Sequence, residues 1–344
     1  MNPFILSMMI SNLALGTIIT ATSYHWFMAW VGLEMNTLAI IPILAKQHHP
    51  RATEAATKYF IIQMMASSII LFSSIFNAYH TGTWDITQLT AHPTPSLLTI
   101  ALAMKLGLVP MHFWLPEVMQ GVNTMTALII TTWQKLPPMF LLYLTANQLP
   151  MVILLLLATS STLISGWSGL NQTQLRKIMA YSSIGHLGWM FAILSTSQKL
   201  LLFTLTMYLL MTIPIFLILI TSTTKTIKDL GVLWTTSPTS CTMTMVIFMA
   251  LGGLPPLSGF MPKWLILEEL TTNHLIPLAT TLTLTSLLSL MFYMRLTYTT
   301  TLTVHPTTTS NLMKWRFKPA KSTNMTPTIT ILLLLTPVMP IIYT

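Results

Sequence analysis

Charge is what this chain has least of. Seven Asp and Glu serve 344 residues, and charged residues of both signs make up only 7%, against about 25% in soluble domains. With 53% apolar residues and a mean hydropathy of +0.69, a water-soluble domain is excluded and a polytopic membrane protein is implied. Cysteine is almost missing as well. Cys241 stands alone, which excludes an internal disulfide and any cluster held by several thiolates. No charged side chain precedes Glu34, so the N-terminus carries neither the basic n-region of a secretory signal nor the Arg-rich face of a transit peptide, and reads as the first span. There is no GxGxxG after a strand, no P-loop, no CxxC and no HxxxH, so the chain offers nothing to hold a nucleotide, flavin, cluster or haem. His48 and His49 are adjacent, which is not chelating spacing, and no metal site is expected.

What is present is a series of apolar windows of about 20 residues, the length a bilayer demands. They fall near 3–21, 25–44, 58–79, 97–116, 124–144, 150–170, 178–196, 200–221, 241–267, 275–296 and 325–343, eleven in all. The 16 Lys and Arg test this count. Lys46, Arg51, Lys58, Arg176, Lys177, Lys225, Lys228, Arg295, Lys314, Arg316, Lys318 and Lys321 lie in or beside connections that follow even-numbered spans, and Lys199 alone follows an odd one. Such a bias is a topology signal rather than a nucleic-acid footprint; it puts the N-terminus on the basic side and the C-terminus opposite. "KWRFKPAK" at 314–321 then reads as a basic, aromatic interfacial anchor against membrane lipid.

Two of the spans share a motif. "LGLVPMHFWLPE" (106–117) and "LGGLPPLSGFMPKW" (251–264) both read Leu-Gly-x-x-Pro with another proline six or seven residues on. They stand five spans apart. Five is odd, so two such units must be inverted with respect to each other, an arrangement built into many transporters. Proline cannot donate a backbone hydrogen bond, so Pro110 releases the carbonyl of Leu106, and Pro255 with Pro256 those of Leu251 and Gly252. Broken helices of this kind are tolerated where they line a wet cavity. The expected fold class is therefore an all-α polytopic membrane protein of about 11 transmembrane helices. It divides into a first inverted repeat over 1–146 with its break near Pro110, a second over 147–297 with its break near Pro255, a basic interfacial connection at 298–323 and a C-terminal transmembrane helix at 324–344.

Four charges fall inside predicted spans: Glu34, Lys105, Lys135 and Lys263. A charge at the centre of a bilayer costs from about 2.5 to more than 10 kcal/mol, so each is a functional candidate, with snorkelling to the interface as the bland alternative. Glu34 is the one other deeply placed carboxylate within reach of the Lys105 span, and a pair between them is expected. Burial favours the neutral form of either group and proximity favours the charged pair, so making and breaking such a pair moves a proton. About 1.36 kcal/mol per pKa unit, set against about 2.3 kcal/mol per charge for 100 mV, means that one buried pair can work against a membrane potential. His112 and His186 also lie in apolar surroundings and can donate and accept at once, although a packed, hydrogen-bonded imidazole is the commoner finding. Glu117, at the basic face, reads as a solvated carboxylate or a channel mouth.

The start "MNPFILSMMI", the runs "GLEMNTLAIIPIL", "KLGLVPMHFWLPEV", "LRKIMAYSSIGHLGWM" and "GGLPPLSGFMPKW", and the many Met and Thr residues extend along the whole chain. Through them the chain resembles the short, vertebrate-type antiporter-like subunit 2 family of mitochondrial NADH:ubiquinone oxidoreductase, respiratory complex I. That resemblance implies two inverted five-helix repeats with broken helices. It implies a proton path through Glu34, Lys105, Lys135 and Lys263, with His112 and His186 as linkers on a central polar axis. It also implies protons carried from matrix to intermembrane space across the mitochondrial inner membrane, with the N-terminus in the matrix and the C-terminus in the intermembrane space. Electron transfer from NADH through FMN and iron-sulfur clusters to ubiquinone would take place in other subunits, with no cofactor in this chain. The neighbours implied are the subunit 4 antiporter-like chain on one side and subunits 4L and 6 on the other. Bacterial relatives carry three further N-terminal helices, so this chain begins where their fourth would stand. A stand-alone cation/proton antiporter is one alternative, weakened because a sodium site wants several oxygen ligands and no second acid lies deep in a span. A structural membrane-arm spacer with static charges is the other.

Overall fold

In hydrocarbon every backbone donor and acceptor must be met within the chain, and helices that run until a proline or glycine stops them are the result. A computed structural model describes residues 3–301. Its helices are α1 (Pro3–Thr22), α2 (Trp26–Leu44), α3 (Pro50–Thr81), α4 (Thr94–Leu106), α5 (Trp114–Gly121), α6 (Thr124–Thr131), α7 (Leu136–Thr145), α8 (Met151–Leu170), α9 (Leu175–Ile193), α10 (Gln198–Ser222), α11 (Ile227–Thr236), α12 (Pro238–Gly252), α13 (Phe260–Thr272) and α14 (Ile276–Thr301). Six of them, α1, α2, α3, α8, α10 and α14, are individually long and apolar enough to cross a membrane. Small residues set the closest packing. A Cβ on Gly32 of α2 would lie 2.6 Å from Thr20 Cγ2 of α1, so the two helices touch nearly backbone to backbone.

Both proline motifs break their spans. α4 ends at Gly107 (φ +80°), whose N–H bonds Ala103 O and Met104 O, and α12 ends at Gly253 (φ +80°), whose N–H bonds Ala250 O and Met249 O. A left-handed residue is what each helix end requires, and glycine supplies it without steric cost. The equivalence therefore runs through Gly107 and Gly253, with Pro110 matching Pro256, one residue out of the register read from the Leu-Gly motif. A third break was not foreseen. The predicted span 124–144 divides into α6, a 3-10 turn at Trp133–Lys135, and α7, because Pro137 and Pro138 lack the N–H groups that would continue α6. The short helix α11 was missed as well. It is nucleated by a capping box in which Thr226 and Asp229 satisfy each other's backbone N–H, a spacing present in "TIKDL" but masked by the weak apolarity around it.

The connections sort to two ends. At one, Arg51, Lys58, Glu117 and Lys177 line a single cavity, the Thr173 and Leu175 backbone pairs with Ile227 and Lys225, Arg176 donates to Val122 O and Arg295 to Leu170 O. At the other, the 24–26 backbone pairs with Trp84 and Ile86, Gln148 bonds the Thr87 to Leu89 segment, and Gln198 bonds Asn147 beside Lys199. α14 runs to Thr301, past the boundary read at 297. The remainder of the interfacial connection and the expected helix at 324–344 lie outside the described residues.

Candidate functional site

The breaks decide which polar groups reach the interior. At the end of α4 the freed carbonyls are met by side chains: Trp114 Nε1 donates to Met104 O at 3.2 Å and Gln63 Nε2 to Lys105 O at 3.3 Å. At the end of α12 the carbonyl of Gly252 is met by Lys263 Nζ at 2.9 Å. A carbonyl named from sequence as released is thus the direct partner of a lysine named from sequence as functional. At the third break Thr131 O accepts from Tyr208 Oη of α10 at 2.9 Å, and the 3-10 turn aims Lys135 inward, where Nζ lies 3.2 Å from the same Oη and 4.9 Å from the ring centroid.

Glu34, Lys105 and Lys135 are buried, at 8%, 5% and 4% exposure, so none snorkels. The expected pair of Glu34 with Lys105 is not formed: among the described residues no ion pair joins them. α3 packs against both α2 and α4, and Tyr59 of α3 and Lys105 of α4 are each within electrostatic reach of Glu34. One Glu34 oxygen is 3.2 Å from Thr37 Oγ1, one turn along its own helix. The other oxygen and Lys105 Nζ have no hydrogen-bond partner, so the two side chains are near each other without pairing.

Lys105 and Lys135 share a cavity with Tyr59, Gln63, Trp114 and Gln134. The space open to the centre of a water-sized sphere there is about 10 Å³, room for about one water. Lys105 Nζ and Gln134 Nε2 are both unpartnered, which supplies the polar neighbours such a water needs. A second cavity of about 20 Å³, between α8, α9 and α14, holds His186 with Lys263, Tyr181, Ser182 and Ser165. Tyr208 joins the two: its hydroxyl takes the Lys135 bond and its ring lies 5.6 Å from that of His186. Both Lys135 and Lys263 act electrostatically on His186. Half-buried Lys263 also reaches an outer groove of about 630 Å³ with Trp189, Trp264 and Glu268.

His112 is placed differently. It is buried in the α4 to α5 connection, with Nδ1 3.3 Å from Pro110 O and its ring 4.2 Å from that of Phe113, and it lines neither inner cavity. Glu117 lies at the cavity on the basic end, 2.7 Å from Lys58. The residues missed from sequence are uncharged or aromatic, Tyr208, Tyr59, Gln63 and Gln134. Nothing in composition or spacing separates a buried tyrosine that bonds a lysine from one that only packs. Among the described residues no group of three or more His, Cys, Asp or Glu is placed to hold a metal ion.

An all-helical bundle with broken helices and a row of interior lysines defines a membrane protein of the antiporter-like class. Residues 23–289 match the family described as NADH:quinone oxidoreductase/Mrp antiporter, TM, and residues 290–343 the NADH dehydrogenase subunit 2 C-terminus. Curated relatives named NADH-ubiquinone oxidoreductase chain 2 include those of Varanus melinus, 53% identical over 94% of both chains, and Latimeria chalumnae, 52% identical over 93% of this chain and 92% of that one. A chain in respiratory complex I from Thermus thermophilus superposes with a TM-score of 0.88 at 27% identity, over 99% of this chain and 79% of that one. A chain of the Mrp complex from Dietzia shares the fold, with a TM-score of 0.83 at 15% identity, over 97% of this chain and 75% of that one. The chain belongs to the NADH-ubiquinone oxidoreductase chain 2 family, and is an integral membrane-arm subunit of respiratory complex I.

Proposed function

We propose that this chain carries protons from the mitochondrial matrix to the intermembrane space, driven by NADH-to-ubiquinone electron transfer in other subunits. The carrying observation is the line of ionisable side chains through an otherwise apolar bundle: Glu34 near Lys105, Lys105 and Lys135 on one water-sized cavity, Tyr208 as the bridge, and His186 with Lys263 on the next. In this reading Glu34 modulates Lys105, because its charge is felt there without being locked into a pair. Lys135 relays the proton through Tyr208 towards His186, and Lys263 passes it on from the carbonyl of Gly252. His112 has a packing role at the α4 break. Lys105 Nζ and Glu34 Oε1 are left without partners at the start of this line, a free donor and a free acceptor of the kind proton transfer uses and a static spacer has no use for.

The same reading makes 1–146 and 147–297 two five-helix units related by inversion, supported by the left-handed glycines that end α4 and α12. It sets the membrane as the mitochondrial inner membrane, the cationic end as the matrix side, and the neighbours as subunit 4 and subunits 4L and 6. The test is Lys105→Ala in assembled complex in sealed vesicles, with quinone reduction and proton uptake recorded together. Normal assembly with a steep fall in coupled turnover supports the relay. Unchanged activity and proton yield would make Lys105 structural.

A further inference from the structure

The cavity that holds His186 and Lys263 is lined by oxygens whose hydrogens are already spent. Thr162 and Ser165 of α8, Ser182 of α9, and Thr285, Ser286 and Ser289 of α14 all face it. Each hydroxyl donates to a carbonyl three residues back on its own helix, at 2.7–3.0 Å. A hydroxyl has one hydrogen and two lone pairs, so these six present acceptors to the cavity. Among the described residues donors are scarce there. Lys263 Nζ gives a bond to Gly252 O, and Tyr181 is only half-buried. Tyr293 of α14 is 2% exposed, and its hydroxyl lies against Ser182 without closing a hydrogen bond to it or to any other group. Its ring is fixed beside the acceptor of the lysine: a Cβ on Gly252 would stand 3.7 Å from Tyr293 Cβ. Resting on the proton-relay reading, we propose that Tyr293 is a positioning residue, whose hydroxyl donates to a water in this cavity and thereby turns a hydrogen of that water towards Lys263.

Burying a phenol without a partner is costly, so a hydrogen-bonding occupant belongs beside it. The cavity, about 20 Å³, has room for about one water. Such a water has two lone pairs and two hydrogens to place. Tyr293 takes one lone pair and leaves the other to His186; one hydrogen goes to a hydroxyl oxygen and the other to the Lys263 amine. A proton then passes by exchange. The imidazolium gives its hydrogen to the free lone pair as the water gives one of its own to the amine, the water is left as water, and no other bond is made or broken. A phenol suits the post because it keeps its proton while imidazole and lysine exchange theirs, and so donates to the water in both states of the relay. Lys263 cannot do the same: as an ammonium it donates to the water, but as an amine awaiting a proton it must accept. Without the Tyr293 hydroxyl, six hydroxyl oxygens compete for the hydrogens of the water and nothing aims one at the lysine.

The test removes donor and acceptor separately, in assembled complex in sealed vesicles. Tyr293→Phe keeps the ring and loses the hydroxyl. It should assemble, and coupled proton uptake should slow about three- to tenfold, the worth of one hydrogen bond expressed as a rate. The solvent deuterium isotope effect on coupled turnover should rise with it, because the proton step becomes slower than the rest. Ser289→Ala removes one acceptor of six and should change turnover by less than about twofold, since five hydroxyl oxygens remain to take the same hydrogens. A density map of the parent complex that resolves water should place one within about 3.2 Å of Tyr293 Oη, a readout that stands even if the variant does not assemble. Parent turnover and isotope effect in Tyr293→Phe, or no water at the hydroxyl in the parent map, overturns the proposal. Lys105→Ala, measured alongside, tells the two failures apart: a steep fall there with parent turnover in Tyr293→Phe leaves the lysine relay standing without this water, whereas parent turnover in both removes the relay itself.

Discussion

Tyr208→Phe removes one oxygen from the centre of the polar line and nothing else. In the parent that hydroxyl accepts from Lys135 Nζ at 3.2 Å and donates to Thr131 O at 2.9 Å. The ring, 4.9 Å from Nζ, remains in phenylalanine and keeps its cation–π attraction of about 0.5–2 kcal/mol. What is lost is a hydrogen bond to an ionisable group, about 1.5–3 kcal/mol. Entered into the barrier for transfer between Lys135 and His186, at about 1.36 kcal/mol per tenfold, this slows the step by roughly ten- to a hundredfold. The expected result is a complex that assembles normally, as native gels would record, with coupled proton uptake and quinone reduction falling together in sealed vesicles. Tyr208→Ala, which also removes the ring and leaves a cavity, should in addition lower thermal stability by about 3–5 kcal/mol. Full coupled activity in Tyr208→Phe would refute the bridge, as would a Tyr208→Phe variant that fails only in assembly.

Two further outcomes follow from the helix ends. Gly253→Ala forces a Cβ into φ +80° and within 2.9 Å of Lys263 Nζ, so about 1–2 kcal/mol of backbone strain should appear as a lower melting temperature, with the Lys263 bond to Gly252 O displaced and coupled activity reduced. Asp229 at the start of α11 is pushed up by partial desolvation, but the N–H groups of Lys225 and Thr226, the Thr226 hydroxyl and the Lys225 charge outweigh this and hold it below its ordinary 3.8. Its folded value is depressed, so its support for the cap is complete above the unfolded value and is lost as pH falls through the folded one. Proteolysis of the 223–226 connection, compared between pH 7 and pH 3, should rise in the parent and be high at both in Asp229→Ala.

The sequence by itself determined the solvent, the sorting of basic connections and the helix-breaking motifs, because a bilayer imposes a length on apolar runs and a cost on charge that composition records directly. It also located Glu34, Lys105, Lys135 and Lys263, since four charges in apolar windows are visible without coordinates. Tertiary structure decided what they do to one another. α3 lies between α2 and α4, so Glu34 influences Lys105 without pairing to it. The left-handed requirement fell on Gly253 rather than Gly252, and Pro137 and Pro138 ended a helix that hydropathy carried straight through. Tyr208 came within hydrogen-bond reach of Lys135, Tyr59 packed edge to face on Trp114 and Glu117 met Lys58, because α10 comes against α6 and α5 against α3. Those are contacts between segments far apart in the chain, and local propensity and hydropathy sum over neighbours in sequence; which two faces meet across a bundle is set by the packing of the whole.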